Sequence, residues 1–222
     1  MTLKVIMSNK SDGSMKSSHG LNFSENNKKR TEFLQKNHIN PDNVTLVRLS
    51  YDSDNYKRYL TIDDSLKGDG ITIESTIKAD ALVVTKPNHA LFLPLADCIG
   101  AVIYDPMLNI LMVSHLGRHN LEQYGGTESI NYLVKNHNVD PKRLTVWLSP
   151  SAGKDSYPVF KFNNQGLNEI AIKQLTKAGV LTENITVSPI DTTNDEDYYS
   201  HSQFLKGNQQ DDGRFGIVAY FS

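Results

Sequence analysis

Two apolar runs on either side of a short turn are the clearest hydrophobic pattern in the chain. Residues 99–104 and 110–114 have the length and composition of strands, and residues 105–109 between them contain the Asp, Pro and Asn that favour turns. This pattern predicts a β-hairpin. Cys98 lies just before the first predicted strand and His115 just after the second. Paired residues on neighbouring strands have Cβ atoms about 5 Å apart, so we expect thiol and imidazole to meet at the open end of the hairpin.

The remaining hydrophobic pattern predicts further strands and three helices. Strands are expected at residues 2–7, 44–49, 71–73, 81–85, 90–93, 144–148, 185–187 and 217–221. Helices are expected at residues 24–37, 122–137 and 164–178. In the first helix, Phe33 and Leu34 are predicted to point inward and the basic run 28–30 outward. We therefore expect an α+β fold in which a mixed, largely antiparallel sheet packs with about three helices in a single domain, residues 1–222.

Composition and charge exclude several classes of function. Hydrophobic residues make up 38% of the 222 residues and charged residues 22%, as is usual for a soluble globular protein. The formal net charge of −2 provides no field that would draw the protein to nucleic acid or to a membrane. No apolar run approaches the roughly 20 residues of a membrane span. A single cysteine excludes an internal disulfide and suits a reducing compartment. We therefore expect a cytoplasmic protein, with its oligomeric state left open.

The residues alone leave the chemistry of the cysteine–histidine pair open. Cys98 and His115 are suited to metal binding, to nucleophilic catalysis or simply to packing, and neither their spacing nor the surrounding pattern separates these roles. The polar loop 51–56 adds Asp52 and Asp54, whose carboxylates are possible metal ligands. Short polar residues in such a loop more often face solvent in a turn.

Seven short motifs, in a fixed order along the chain, resemble one known family. They are Leu-Asn at 21–22, Ala-Asp-Ala at 79–81, Ala-Asp-Cys at 96–98, Ser-His-x-Gly at 114–117, the Pro150 loop with Tyr157, Tyr-Ser at 199–200 and Gly-Arg-Phe at 213–215. Together they resemble the multicopper polyphenol oxidase (laccase-domain) family, whose members are described as purine nucleoside phosphorylases with adenosine deaminase activity. The resemblance extends from about residue 3 to residue 221.

The resemblance implies a zinc site, with one departure. In the family, zinc is held by a histidine in a Gln-Val-His-Gly motif, by the Ala-Asp-Cys cysteine and by the first histidine of His-Ala-Gly-Trp-Arg-Gly. The last two correspond to Cys98 and His115, whereas residues 51–54 contain no histidine. Zinc also accepts carboxylate oxygen, so the third ligand is expected to be Asp52 or Asp54, or the site is empty. Copper is not expected, because multicopper chemistry needs many His and Cys ligands and this chain has seven His and one Cys.

The resemblance also implies a site for a purine nucleoside and phosphate, again with departures. Lys10 occupies a position where the family usually has arginine, Arg118 and His119 replace the family's tryptophan and arginine, and residues 200–202 lack the arginine of a Ser-Tyr-Arg motif. A guanidinium group binds phosphate through two parallel hydrogen bonds, which Lys or His reproduces only in part. The candidate substrate- and phosphate-binding residues are Lys10, Asn22, Arg118, Ser200 and Arg214.

Two reactions follow from the resemblance, phosphorolysis of the glycosidic bond and deamination of the purine by a metal-activated water. Cys98, His115, Asp97 and His119 are the catalytic candidates, and Asp97 or His119 is expected to protonate or hydrogen-bond the leaving purine. Two alternatives remain. One is a divergent member that binds a nucleoside or another small ligand without turnover. The other is a metal-free thiol hydrolase with Cys98 as nucleophile and His115 as base.

Overall fold

The computed structural model describes residues 1–16 and 23–222. This part of the chain contains ten strands and five α-helices. The strands are β1 (Leu3–Met7), β2 (Val44–Leu46), β3 (Tyr59–Thr61), β4 (Ala81–Val84), β5 (Ala90–Leu95), β6 (Ile99–Asp105), β7 (Ile110–Leu116), β8 (Thr145–Leu148), β9 (Ile185–Val187) and β10 (Phe215–Phe221). The helices are α1 (Phe23–Lys36), α2 (Arg118–Glu122), α3 (Gly125–His137), α4 (Leu167–Lys177) and α5 (His201–Leu205). Among the described helices, none has both the length and the apolar character needed to cross a membrane.

The strands form two mixed sheets. Four strands follow the order β1-β10-β5-β2 and six follow the order β3-β4-β7-β6-β8-β9. Most strand pairs are antiparallel, and only β2–β5, β3–β4 and β8–β9 are parallel. Three of the described helices, α1, α3 and α4, are longer than ten residues. The predicted α+β class, with mixed, largely antiparallel pairing and about three helices, is confirmed, although the strands divide between two sheets.

The two sheets pack face to face, and helices cover their outer faces. Val102 and Tyr104 of β6 point to the cluster shared with β5 and β10, whereas Ala101 and Ile103 point to the cluster that contains residues of α3 and α4. On the other side of the molecule, α1 packs Phe33 against the four-stranded sheet. Since β6 and β7 are covered on both faces, their sequences are continuous apolar runs rather than alternating ones.

Three local predictions are wrong, each because of a competing local or tertiary interaction. His115 lies inside β7, not after it, because the β6–β7 ladder continues until Ile99 pairs with Leu116. Residues 71–73 form a turn, since the backbone amides of all three donate to the carbonyl oxygen of Gly68. The helix predicted from residue 122 begins at Gly125, after Tyr124 adopts a left-handed conformation with φ of 62°.

The basic run in α1 does not lie wholly at the surface as predicted. Phe33 and Leu34 are buried as expected, but Arg30 is also fully buried. Its Nε donates to Asn27 Oδ1 at 2.7 Å, and its Nη2 contacts the same oxygen. Burial lowers the pKa of Arg30 to about 10.

Candidate functional site

The floor of the candidate site is the open end of the β6–β7 hairpin. In this ladder Gly100 pairs with His115, and Cys98 lies one residue before β6. A methyl group added at Gly117 would lie 2.8 Å from Cys98 Sγ and 2.9 Å from His115 Nε2. Both atoms are therefore within 2.9 Å of one point, and they lie at most twice that distance from each other. The structure thus brings the sulfur and the imidazole together, and the absence of a side chain at Gly117 leaves room for them.

The surroundings of this pair keep both groups uncharged. Burial, assisted by the Asp97 carboxylate, raises the pKa of the Cys98 thiol to about 12, although the backbone N–H of Arg118 donates to the sulfur. Burial lowers the pKa of His115 to about 4, and the side chain is only 6% exposed. Near neutral pH the floor therefore presents a thiol and a neutral imidazole.

A cavity of about 530 Å³ lies above this floor and includes both Cys98 and His115 in its lining. Its walls come from the loop before β3, from the start of α2, from α5 and from the residue before β10. Three tyrosines, two arginines and two further histidines line these walls: Tyr51, Tyr56, Tyr157, Arg118, Arg214, His119 and His201. The volume is within the range of about 300–1,000 Å³ that is typical of small-molecule sites. The walls thus combine aromatic surface with cationic groups.

Asp97, a predicted catalytic residue, is placed as a support for the cavity wall. It is buried and has a φ of 73°, which turns the chain between β5 and β6. Its Oδ1 accepts a hydrogen bond from Thr192 Oγ1 at 3.0 Å, and its Oδ2 accepts one from the backbone N–H of Ser202 at 2.7 Å. Both oxygens are therefore used to hold α5 and the loop after β9 against the hairpin.

Arg118 and His119 both lie at the start of α2, exposed and facing the cavity. The His119 ring stacks on Tyr56 with a centroid distance of 4.9 Å and an interplanar angle of 18°. Arg118 Nη2 lies 3.5 Å from His119 Nε2. These two predicted residues therefore occupy one side of the cavity together.

Two other lining residues, Arg214 and His201, share one carboxylate. Asp212 Oδ1 accepts hydrogen bonds from Arg214 Nη1 at 2.6 Å and from His201 Nδ1 at 2.8 Å. Lys16 Nζ contacts Asp212 Oδ2 at 2.6 Å. Burial raises the pKa of the Asp212 carboxyl, but these three hydrogen bonds outweigh that effect and hold it well below its usual value. His201 and Asp212 are absent from the candidates chosen by sequence.

Two predicted phosphate-site residues do not reach this cavity. Lys10 places its Nζ over the ring of Tyr199, at 5.8 Å from the centroid, and lines a separate open polar cleft. Ser200 is 1% exposed and caps α5, where its hydroxyl oxygen accepts a hydrogen bond from the backbone N–H of Gln203 at 3.2 Å. Neither Lys10 nor Ser200 therefore lines the cavity above Cys98 and His115. Asn22 lies outside the described residues.

The two candidates for the third metal ligand, Asp52 and Asp54, make other contacts. Asp52 is exposed and forms ion pairs with Lys78 and with Arg58, whose Nη1 lies 3.6 Å from Asp52 Oδ1. The hydrogen bond from Lys78 lowers the pKa of Asp52 to about 2. Asp54 is exposed and its backbone oxygen accepts a hydrogen bond from Gln123. Neither lines the cavity. The residue of this loop that lies nearest in sequence and does line it is Tyr51.

The donor set does not fit a catalytic zinc ion. Such sites use three protein ligands and keep one position for water or substrate. Across residues 1–16 and 23–222, no three His, Cys, Asp or Glu side chains are grouped so that they could hold a metal ion. Cys98 and His115 supply two donors, and the carboxylate of Asp52 in the neighbouring loop pairs with Lys78 and Arg58.

Comparison with known proteins gives a family match and several related folds. Residues 22–165 match the model of a family described as multi-copper polyphenol oxidoreductase laccase. No curated protein matches the sequence.

Several solved structures have a similar fold at low sequence identity. The hypothetical protein YfiH from Bacillus licheniformis is 15% identical, with a TM-score of 0.83 over 99% of this chain and 93% of that one. YlmD from Geobacillus stearothermophilus is 14% identical, with a TM-score of 0.81 over 98% and 91%. The DUF152 protein NMB0706 from Neisseria meningitidis is 14% identical, with a TM-score of 0.70 over 99% and 94%.

Proposed function

Because the chain belongs to the multi-copper polyphenol oxidoreductase laccase family, we propose that it is an enzyme that cleaves purine nucleosides by phosphorolysis. The reaction would take place in the cavity above Cys98 and His115. The activity follows from the family resemblance, and the composition of the cavity supports it.

The observation that carries this proposal is the pairing of aromatic and cationic groups in one cavity. A purine nucleoside presents a flat base, which suits the rings of Tyr51, Tyr56 and Tyr157. Phosphate requires cationic donors, which the exposed guanidinium of Arg118 supplies directly. Arg214 uses its Nη1 on Asp212, so its other N–H groups are the ones available to an anion.

The proposed reaction needs phosphate, the nucleoside and one proton. Phosphate held by the two arginines attacks C1′ of the ribose, the bond from C1′ to the purine nitrogen breaks, and its electron pair stays on the base. A proton delivered to the base makes it a better leaving group. Asp97 is poorly suited to deliver it because both of its oxygens already accept hydrogen bonds. His119 and His201 are the histidines of the cavity wall.

No step of this proposal uses zinc. Deamination is not proposed, because water needs activation by a metal to attack the purine ring and the described donors do not complete a catalytic zinc site. The thiol-hydrolase alternative is also disfavoured. A nucleophilic cysteine normally has a lowered pKa, whereas burial raises that of Cys98 to about 12.

The test is release of free purine from inosine and adenosine, with and without phosphate. Chromatography should show hypoxanthine or adenine together with ribose 1-phosphate, and only when phosphate is present. Arg118→Met should lower kcat/KM by roughly 100-fold, because it removes a charged donor from the reacting anion. Lys10→Met is the matched control. It removes a cation outside the cavity and should leave the rate unchanged.

A folded wild-type protein that releases no purine would refute the proposed activity. The incomplete donor set specifically favours a second candidate, a family member that binds a nucleoside without turnover. Inosine would then raise the melting temperature without product, since a ligand at 100 times its Kd stabilises the folded state by about 2.7 kcal/mol.

A further inference from the structure

The strongest unused feature of the cavity is the hydrogen-bonded pair of His201 and Asp212. We propose that His201 is the proton donor to the leaving purine and that Asp212 is its positioning residue. This inference rests on the proposed phosphorolysis. Neither residue belongs to the Cys98 and His115 floor. The juxtaposition of a cavity-lining imidazole with a carboxylate that is itself held in place carries the inference.

The position of His201 suits a group that meets a ligand. It is the first residue of α5, and it lines the cavity together with Ser202. Its side chain is 44% exposed. The start of α5 is held against the hairpin because the Ser202 backbone N–H donates to Asp97 at 2.7 Å. His201 is therefore reachable from the cavity and stands on a fixed segment of backbone.

The partner carboxylate decides which ring nitrogen is available. Nδ1 lies 2.8 Å from Asp212 Oδ1, so Nε2 is the ring nitrogen left to act on a ligand. Asp212 is fixed in turn by Arg214 and Lys16, each at 2.6 Å. A carboxylate that receives two cationic donors remains ionised, and it can stabilise a positive charge on the neighbouring imidazole.

The step balances without a metal or an oxidant. As a phosphate oxygen bonds to C1′, the bond from C1′ to purine N9 breaks and its electron pair enters the purine ring. The proton on His201 Nε2 moves to purine N7. The imidazole is left neutral and still hydrogen-bonded to Asp212, which keeps its charge. Solvent then returns a proton to Nε2.

His119, the other histidine of the cavity wall, is less suited to this role. Its ring stacks on Tyr56, and the Arg118 guanidinium lies close by, with Nη2 at 3.5 Å from His119 Nε2. An adjacent cation disfavours a second positive charge. The imidazole with a carboxylate partner is therefore the better proton donor of the two.

The opposing interpretation is that the pair only fastens α5 to the segment before β10. The two roles differ in their dependence on the leaving group. Guanine leaves from guanosine more easily when it is protonated at N7. The base of 7-methylguanosine already carries a positive charge and needs no proton in order to leave. A fastening role affects both substrates equally, but a proton donor affects only the first.

The experiment compares kcat/KM for guanosine and 7-methylguanosine in phosphate, for wild type and His201→Gln. We expect a loss of roughly 100-fold with guanosine, as for removal of a general acid, and less than about threefold with 7-methylguanosine. Asp212→Asn should shift the ratio in the same direction by about tenfold, because it removes only the positioning of the acid. His119→Gln changes the other histidine of the cavity wall and is the matched variant. It should not shift the ratio of kcat/KM for guanosine to kcat/KM for 7-methylguanosine. His137→Gln, on the surface of α3, controls for general effects.

Each outcome decides something. Equal losses on both substrates, or no loss, would overturn the role of His201 and leave the phosphorolysis standing. Cleavage of 7-methylguanosine but not guanosine by the wild type would also overturn it, because no effective proton donor would then exist. Cleavage of neither substrate by folded wild type would overturn the proposed function together with this inference. If His201→Gln fails to fold, the ratio of kcat/KM for guanosine to kcat/KM for 7-methylguanosine in Asp212→Asn distinguishes the two roles.

Discussion

The floor of the cavity differs in construction from its rim, the part of the walls that lies on loops and short helices. The floor is made by Cys98 and His115 at the end of two buried, paired strands, and His115 is only 6% exposed. The rim includes Tyr51 and Leu205, which are 63% and 70% exposed and stand on a loop and on a short helix. The floor supplies two potential metal donors, and the described residues of the rim add no third carboxylate, histidine or cysteine that would complete a metal site. Loops tolerate substitution better than paired strands, so we propose that the rim rather than the floor determines the chemistry.

The largest expected effect is acid destabilisation through buried histidines. Burial lowers the pKa of His115 on the floor and of His89, which lies against Thr45, from 6.5 to about 4. Above pH 6.5 each histidine is neutral in both the folded and the unfolded chain, and the stability of the protein is fully present. Between pH 6.5 and 4 the unfolded chain binds protons that the folded chain does not, so stability is lost as the pH falls. Each histidine should lower the free energy of unfolding by about 3 kcal/mol over this window.

Urea unfolding across this pH range measures the effect. His115→Gln and His89→Gln should each flatten the pH dependence of the free energy of unfolding. An unaltered pH dependence in His115→Gln would show that the floor is open to solvent in the folded protein.

The next effect concerns the missing metal ligand. Wild type purified without chelators should contain substoichiometric zinc. Tyr51→His should raise the zinc affinity on the order of 100-fold, because the roughly 10–16 kcal/mol of a structural zinc site is shared among four ligands and Tyr51 lines the cavity. Ser53→His, two residues away and outside the cavity lining, is the matched control. Elemental analysis and competition with a metal indicator measure both.

One equivalent of zinc in the wild type, lost in Cys98→Ala, would contradict this expectation. It would show that a third donor does reach the floor and that the rim has not determined the chemistry in the way proposed.

A smaller effect is expected from filling the floor. Gly117→Ala should lower the free energy of unfolding by about 1–3 kcal/mol, the usual cost of overpacking. The added methyl would lie less than 3 Å from both Cys98 Sγ and His115 Nε2. The backbone there is extended, so the cost is steric. Inosine binding should weaken as well. Gly166→Ala meets Lys154 at 3.0 Å and should cost less in urea unfolding. Equal costs for the two variants would mean that the floor is not tightly packed.

The smallest effect is expected at Asp52, outside the cavity lining. Asp52→Asn removes an exposed partner of Lys78, and exposed ion pairs contribute little to stability. Melting temperature, zinc content and purine release should all match those of the wild type. A loss of bound zinc or of activity in this variant would restore Asp52 as a ligand.

The hydrophobic pattern predicted most of the architecture because burial is recorded locally. β6 and β7 are buried along their whole length, and α1 begins within one residue of its predicted start. The errors occur where a nearby polar group competes with that pattern. Ile71 and Ile73 are apolar enough for a strand, but the Gly68 carbonyl captures their amides. Arg30 belongs to a charged run, yet it is buried, where its Nε donates to the Asn27 side chain and its Nη1 has no partner among the described residues.

The candidate site divides along the same line. Cys98 and His115 meet because one hairpin register places them together, and a register between adjacent strands can be read from a sequence. His201, at the start of α5, and Asp212 meet although they are eleven positions apart, and Lys16 reaches the same carboxylate from near the start of the chain. No periodicity or spacing rule predicts such a contact.

By itself, the sequence determined the fold class, the hairpin and the identity of the two floor residues, because these depend on local patterns of burial and on pairing between neighbouring strands. Only the tertiary structure decided which rim side chains face the cavity. Asp52 turns to Lys78, Lys10 to Tyr199 and His201 to Asp212. The direction of a loop side chain depends on partners that are distant in sequence, and it is these directions that distinguish a metal site from a site that relies on cations and an imidazole.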